Sequence, residues 1–224
     1  MKRGLYRRGA NIRLKKRSSV RHDGDTAVFF VKVESCGLAG CGQKIAGRHK
    51  NYAKHDTHLI AGKSEENIND ICSKIPSKSL ALCFVDPFDC DFNIDNLKTI
   101  SKCAFGVDFL CLLALQMDAK RNIEHYMKPD SKIDRMIGNT TWRTRWNNKS
   151  NVHEDFAKFL ATEFAHSMSD AGYLETPLHQ MREVTTHDTN VPLYYIAMFS
   201  KNQKAFDLWK EVLVYSSPQR GLFD

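Results

Sequence analysis

Two short apolar runs stand out in the middle of the chain. Residues 80–85 (LALCFV) are apolar or small, and the sequence Asp-Pro-Phe-Asp follows directly at 86–89. A continuous apolar run of this length is typical of a strand buried on both faces, and a proline, which lacks an N–H, ends the hydrogen-bond ladder. Residues 107–115 (VDFLCLLAL) have the same character. We therefore predict two interior strands of a parallel sheet.

The segments around these runs alternate between helix and strand periodicity. Apolar residues recur at three- and four-residue spacing in the predicted helices, which are residues 64–74, 94–103, 156–171 and 203–215. Further strands are predicted at residues 27–33, 57–61, 173–177 (extending toward 184) and 193–200. The alternation is typical of βαβ winding, so the fold class is α/β with a mostly parallel sheet. The two late strands are joined by one polar loop, which predicts a C-terminal antiparallel hairpin.

Positive charge is concentrated at the start of the chain. Nine of the 33 Lys and Arg residues fall within residues 1–22, which contain no acid, whereas the remaining 24 are slightly outnumbered by the 26 acidic residues. We interpret residues 1–25 as a basic, flexible arm and residues 26–224 as one folded domain. Such an arm can neutralise phosphates in nucleic acid. A merely solvated terminus is the alternative, and the sequence slightly favours it.

The seven cysteines are odd in number and irregularly spaced, and several lie in apolar runs. This usage indicates a reduced, cytoplasmic protein in which cysteine acts as a small apolar residue. Cys36 and Cys41 with His49, His55 and His58 match no zinc-binding spacing, so no metal site is predicted. No run approaches the roughly 18 apolar residues that a membrane span needs.

A glycine-rich segment follows the predicted strand at 27–33. Its sequence, ESCGLAGCG, places Gly37, Gly40 and Gly42 where the backbone can approach a nucleotide-like cofactor without interference from a Cβ atom. A plain glycine-rich turn explains the same residues about equally well.

A polar stretch at residues 118–151 contains Trp142 and Trp146, each next to an arginine. Aromatic and arginine side chains together suit stacking on unpaired bases. The alternative, which we favour, is that both tryptophans anchor this stretch to the core.

Asp86 and the two residues after it are the main candidates for chemistry. In open α/β sheets, ligands bind just beyond the carboxyl ends of the strands, and an acid followed by Pro87 and Phe88 is predicted at such an end. The competing interpretation is an ordinary strand end with an Asp-Pro turn.

The order of these segments resembles the three-Cys-motif partner proteins. The similar stretches are HLIAGKSEENINDICSKIPSKSLALCFVDPFDCDFNIDNLKTIS, VDFLCLLALQMDAKRNI, AGYLETPLHQM and VPLYYIAMFSKN, within residues 56–213. The resemblance implies a Rossmann-like fold similar to class I S-adenosylmethionine-dependent methyltransferases, and a radical-SAM protein as partner. It also implies that Asp86, Pro87 and Phe88 hold a target amine, which is an orientation effect, and that Gly62 and Lys63 lie toward the cofactor.

The upstream part of the chain departs from that family. Only 23 residues separate Val33 from Thr57, which is too short for the strands and helices expected there, and no acid corresponds to the one expected on the cofactor ribose. Two functions stay open: a methyltransferase acting on an amino group, with nucleic acid as the favoured substrate, and a catalytically inactive binding partner of the same fold.

Overall fold

A computed structural model describes residues 11–17, 28–34, 57–60, 64–87, 90, 92–119, 121–148 and 155–215. These residues form one mixed sheet with helices packed against it. The strands are β1 (Asn11–Arg17), β2 (Val28–Glu34), β3 (Thr57–Ile60), β4 (Leu80–Asp86), β5 (Gly106–Leu113), β6 (Arg182–Thr185) and β7 (Pro192–Phe199).

The sheet has seven strands in the order β3-β1-β2-β4-β5-β7-β6. Only the central pairs, β2 with β4 and β4 with β5, are parallel. The pairs β1–β2, β1–β3, β5–β7 and β6–β7 are antiparallel. The α/β class is therefore confirmed, but the prediction of a mostly parallel sheet is wrong. The late hairpin is confirmed, although antiparallel pairing also occupies the other flank.

Strand β1 lies in the segment that the sequence predicts as a flexible arm. Asn11–Arg17 pairs with β2 on one side and with β3 on the other, so the arm prediction is wrong for these seven residues. The sequence carries a strand signal here, because Ile12 and Leu14 alternate with basic residues. The density of positive charge obscured that alternation. The rest of residues 1–25 lies outside the described part of the chain.

The helices largely follow the predicted periodicity. They are α1 (Ser64–Lys74), α2 (Ile94–Ile100), α3 (Ile123–Tyr126), α4 (Lys132–Ile137), α5 (Trp142–Asn147), α6 (Phe156–Asp170) and α7 (Gln203–Tyr215). A five-residue π-helix, Leu115–Ala119, directly follows β5, and a 3₁₀ turn covers Leu178–Gln180. The predicted helices at 64–74 and 203–215 are confirmed at both ends. Helices α3 to α5 lie in the polar stretch, where no helix was predicted.

Strands β4 and β5 are fully buried on one face and partly buried on the other. Ala81, Cys83 and Val85 are buried and join one apolar cluster with the inward side chains of α1, α2, α4 and α6, whereas Leu82 and Phe84 are partly buried. The prediction of strands buried on both faces is thus met in full on one face only. Both crossovers, from β2 to β4 and from β4 to β5, advance in the same direction along the sheet. Right-handed crossovers then put their helices on the same face.

The predicted strand at residues 173–177 is not a strand. Leu174 N–H donates to Ser200 O (2.9 Å), but β6 begins only at Arg182. Residues 173–177 therefore meet the end of β7 through this backbone bond and through the Thr176 hydroxyl, which donates to Met198 O (3.2 Å).

Cysteines play two roles in the described part of the chain. Cys83, Cys90 and Cys111 are buried free thiols, and burial raises the pKa of Cys83 to about 12 and that of Cys111 well above its usual value. Cys83 and Cys111 therefore stay protonated, and all three buried cysteines serve as small apolar residues, as predicted. In contrast, Cys72 of α1 and Cys103 after α2 form a disulfide, with their Cα atoms 5.3 Å apart. The prediction of a fully reduced chain is wrong here, because packing of α1 on α2 brings both residues within bonding range.

Candidate functional site at the carboxyl edge of the sheet

Asp86 is the last residue of β4, as the sequence predicts, and it is half-buried. The buried Pro87 follows it, so the ladder stops where the proline removes a donor. Asp86 therefore lies at the carboxyl edge of the parallel strands, where open α/β sheets bind their ligands. Phe88 lies outside the described residues.

Three strands that precede predicted site residues end at this same edge. Glu34, the last residue of β2, pairs with Asp86 in the parallel register. Ile60, the last residue of β3, is opposite Ile12, and the neighbouring Asn11 is opposite Glu34. The chain continues from β2 toward Gly37, Gly40 and Gly42 and from β3 toward Gly62 and Lys63, and these five residues lie outside the described part.

The loop after β4 packs against the end of β5. The Cys90 thiol is 3.9 Å from the carbonyl oxygen of Ala114, the residue that separates β5 from the π-helix. Phe92 then contacts Phe164 of α6 edge to face, with ring centroids 5.4 Å apart. These contacts attach the chain that follows Asp86 to the same edge of the sheet.

A second group of polar residues lies further along this edge, at the start of the π-helix. Gln116 Nε2 donates to Glu183 Oε1 (2.9 Å) and to the hydroxyl of Tyr195 (3.0 Å). The Tyr195 hydroxyl in turn donates to Glu183 Oε1 (2.9 Å). We call these three residues the β5–β7 corner. They come from three different elements, since Glu183 is on β6 and Tyr195 on β7.

Two carboxylates act on the Tyr195 hydroxyl of the corner. Burial raises the pKa of Tyr195, and the carboxylates of Glu183 and Asp155 raise it further, against the hydrogen bond from Gln116. Asp155 caps the N-terminus of α6 by accepting from Ala157 N–H (2.9 Å). The Tyr195 hydroxyl thus stays protonated at neutral pH and keeps donating to Glu183.

Sequence reasoning missed this corner. A usable signal existed, because Gln116 is the first polar residue after a buried strand, just as Asp86 is after β4. The pairing of Gln116 with Glu183 and Tyr195 was not accessible, because 67 and 79 residues separate them in sequence.

The side chain of Asp86 and those of the corner residues lie on opposite faces of the sheet. Val85 pairs with Cys111 on the buried face, and Leu113, further along β5, pairs with the buried Tyr195. Asp86 is the residue after Val85, so its side chain points to the other face. The edge therefore carries two separate polar sites.

A cavity of about 410 Å³ opens beside the first turn of α2. Its lining includes Asp95, Asp134 and Asn139. Asp95 pairs with Lys98 (2.9 Å), and Asp134 pairs with Arg143 (2.5 Å), so these two acids are already neutralised. The volume falls in the range of small-molecule pockets.

The tryptophans of the polar stretch belong to the core. Trp142 is completely buried, and Trp146 packs on Phe156 and Phe159 of α6 with ring centroids 4.8 and 5.1 Å apart. The favoured interpretation, that they anchor this stretch, is confirmed: Trp142 is a core residue, and the partly buried Trp146 packs against the core.

Within the described ranges, no three His, Cys, Asp or Glu side chains are grouped so as to hold a metal ion. No helix among the residues described has the length and apolar content that crossing a bilayer requires. Comparison of the chain with protein-family models, with curated proteins and with solved structures finds no match.

Proposed function

We propose that this protein is an S-adenosylmethionine-dependent methyltransferase of Rossmann-like, class I architecture that acts on an amino group, with nucleic acid as the substrate class. One observation carries the proposal. Strand β2, which precedes the glycine-rich segment, is the parallel neighbour of β4, which ends in Asp86, and the two strands end in the same register. Parallel strands joined through helices are how such folds present a cofactor loop beside a catalytic acid.

The proposal assigns roles along the carboxyl edge. Asp86 and the backbone at Pro87 accept hydrogen bonds from the target amine, and Phe88 stacks on its base. Orienting the nitrogen for in-line attack in this way is the main contribution that a protein makes to such a transfer.

The cofactor would lie over the ends of β2 and β3. Gly37, Gly40 and Gly42 would allow close approach of the backbone, and Gly62 with Lys63 would contact the adenine side. S-adenosylmethionine supplies an activated methyl group when bound. The order β4-β5-β7-β6, with an antiparallel strand before the last position, supports the class I assignment.

Calorimetry and a methyl-transfer assay test this proposal together. We expect saturable heat with millimolar S-adenosylmethionine, and loss of roughly 100-fold in transfer rate for Asp86→Ala with cofactor binding retained, because only the amine is misplaced. Asp188→Ala, which changes a fully exposed acid in the β6–β7 loop, is the matched control. Absence of heat with the wild-type protein contradicts the proposal.

The positive charge of the N-terminal residues is proposed to strengthen binding of nucleic acid. Removing residues 2–10 takes away four basic side chains without touching β1. We expect this deletion to reduce the salt dependence of binding to single-stranded nucleic acid, because fewer counterions are released. An unchanged salt slope removes these residues from the substrate interface.

One observation favours the second candidate, a catalytically inactive binding partner of a radical-SAM protein or of nucleic acid. The neighbour of β2 on its outer side is β1, which is antiparallel and begins at the carboxyl edge. The described sheet therefore has no parallel strand next to β2 on that side. It also lacks, at that place, an acid at the end of a strand that could bind the cofactor ribose. This candidate predicts a cytoplasmic complex whose yield in co-purification is the same for the wild type and Asp86→Ala.

A further inference from the structure

The β5–β7 corner has unused hydrogen-bond acceptors. Both N–H groups of Gln116 Nε2 are occupied, one by Glu183 and one by Tyr195. Among the residues that the structure describes, none donates to Gln116 Oε1 or to Glu183 Oε2, since the known bonds reach only Oε1 of the glutamate. The corner thus combines one amide oxygen and one carboxylate oxygen that accept from no described residue and that a ligand can reach.

The orientation of these acceptors is fixed before any ligand arrives. Gln116 is 93% buried, as its exposed fraction is 7%, and its amide plane is held by two donated bonds. Glu183 is exposed to solvent, but its Oε1 accepts from two partners. An exposed glutamate ordinarily samples many rotamers, and holding it in one has an entropic cost. A preorganised acceptor pair reduces the ordering cost of binding.

The charge of the corner selects the ligand. The carboxylates of Glu183 and Asp155 both act on Tyr195, as the raised pKa of that hydroxyl records. Anionic groups are therefore excluded, and neutral donors gain less than charged ones, because hydrogen bonds between a cation and a carboxylate are about twice as strong as neutral ones.

We propose that the β5–β7 corner binds a positively charged nitrogen that carries N–H donors, the alkylammonium or guanidinium group of a ligand, through Glu183 Oε2 and Gln116 Oε1. Two features of the fold place the corner where ligands bind. It lies at the carboxyl edge of the parallel strands, and Gln116 is the second residue of a π-helix, an element that is frequent at functional sites.

This site does not depend on the proposed methyl transfer. Three strand spacings, roughly 14 Å, separate β4 from β6, and Asp86 points to the opposite face. Binding of a cation at the corner and binding of S-adenosylmethionine near β2 therefore succeed or fail separately.

The test is a titration followed through side-chain amide signals of protein labelled with ¹⁵N-glutamine. n-Butylammonium and tetramethylammonium are compared at equal ionic strength, since the second has the same charge but no N–H donor. We expect the Gln116 signals, assigned by their loss in Gln116→Leu, to shift saturably with butylammonium, with a Kd at least about fivefold lower than for tetramethylammonium. Equal responses to the two cations overturn the proposal.

Glu183→Gln separates binding from folding. Glutamine at 183 still offers Oε1 to Gln116 and Tyr195, so the fold is expected to persist while the affinity for butylammonium falls at least about tenfold. Glu175→Gln, the same change at another exposed glutamate, should leave the affinity unchanged. Unchanged affinity in Glu183→Gln contradicts the proposal. The two-cation comparison needs only the wild type, so it decides the question even where a variant fails to fold.

Discussion

Two polar networks in this protein are each built around a carboxylate that accepts hydrogen bonds from side chains. They differ in whether all the acceptor oxygens of that carboxylate are occupied. In the first, Asp134 accepts from Trp142 Nε1 (2.8 Å) and Ser131 N–H (3.0 Å), and its two oxygens accept from Arg143 at 2.5 and 2.8 Å. The same guanidinium donates to the carbonyl oxygens of residues 126–128 at the end of α3. The network is closed.

The β5–β7 corner is the open counterpart. Its carboxylate joins a residue 67 positions away in sequence, whereas the partners of Asp134 are local, and Glu183 is exposed with one oxygen that has no donor among the described residues. The comparison teaches that aromatic and arginine residues in a polar stretch do not by themselves indicate a binding surface. A closed network stabilises the fold, whereas an open one retains capacity for a ligand.

Removing Arg143 should have the largest effect on stability. Arg143→Ala leaves Asp134, whose side chain is 11% exposed, without its charge partner, and it removes the donor to the part-buried carbonyl groups of Tyr126 and Met127. We expect the free energy of unfolding to fall by about 3–5 kcal/mol, as for other broken buried ion pairs. Urea denaturation measures it, with the exposed Arg121→Ala as control. A loss below that of the control would show that the network is not closed.

Lowering the pH should reduce the stability that Asp134 contributes to the closed network. Partial burial tends to raise the pKa of Asp134, but the hydrogen bonds from Arg143, Trp142 and Ser131 prevail and lower it. Because the pKa of Asp134 is lower in the folded state, the stability that its carboxylate contributes is complete above the unfolded value of about 3.9. That stability is lost as pH falls through the folded pKa. The stability difference between wild type and Asp134→Asn should therefore be constant near neutrality and shrink below about pH 4. A difference independent of pH would contradict it.

Arg145 offers an intermediate case. It pairs with Glu163 of α6 through Nε at 2.9 and 3.0 Å and through Nη2, but its side chain is 47% exposed while that of Glu163 is only 6% exposed. We expect Arg145→Ala to lower stability by about 1–2 kcal/mol, since water reaches one partner only. Thermal unfolding of Arg145→Ala and Arg143→Ala, measured side by side, ranks the two losses of stability. A larger loss for Arg145→Ala than for Arg143→Ala would contradict the prediction.

The open corner should contribute least to folding. Glu183→Gln keeps the acceptor for Gln116 and Tyr195 and changes only an exposed charge. Its effect on the free energy of unfolding should stay within about 0.5 kcal/mol, the range of ordinary surface substitutions. A loss above 1.5 kcal/mol, read from the same urea series, would mean that the carboxylate is structural.

The local pattern of residues determined much of the fold. The apolar run that ends in Asp86-Pro87 defines β4 to the residue, and the helical spacing of α1 and α7 defines both their ends. These features follow from backbone chemistry within a few residues, such as the missing N–H of proline, so they can be read without knowing the neighbours.

Tertiary structure alone decided strand direction, burial of the second sheet face and the pairing of distant polar groups. A strand has the same alternation whether its neighbour is parallel or antiparallel, so the direction of β1 and the mixed order of the sheet could not be read from periodicity. Trp142 became a core residue and Gln116 a site residue for the same reason: their environments are made by segments far away in sequence. Hydrogen-bond satisfaction depends on which atoms meet in space, and no local pattern encodes that.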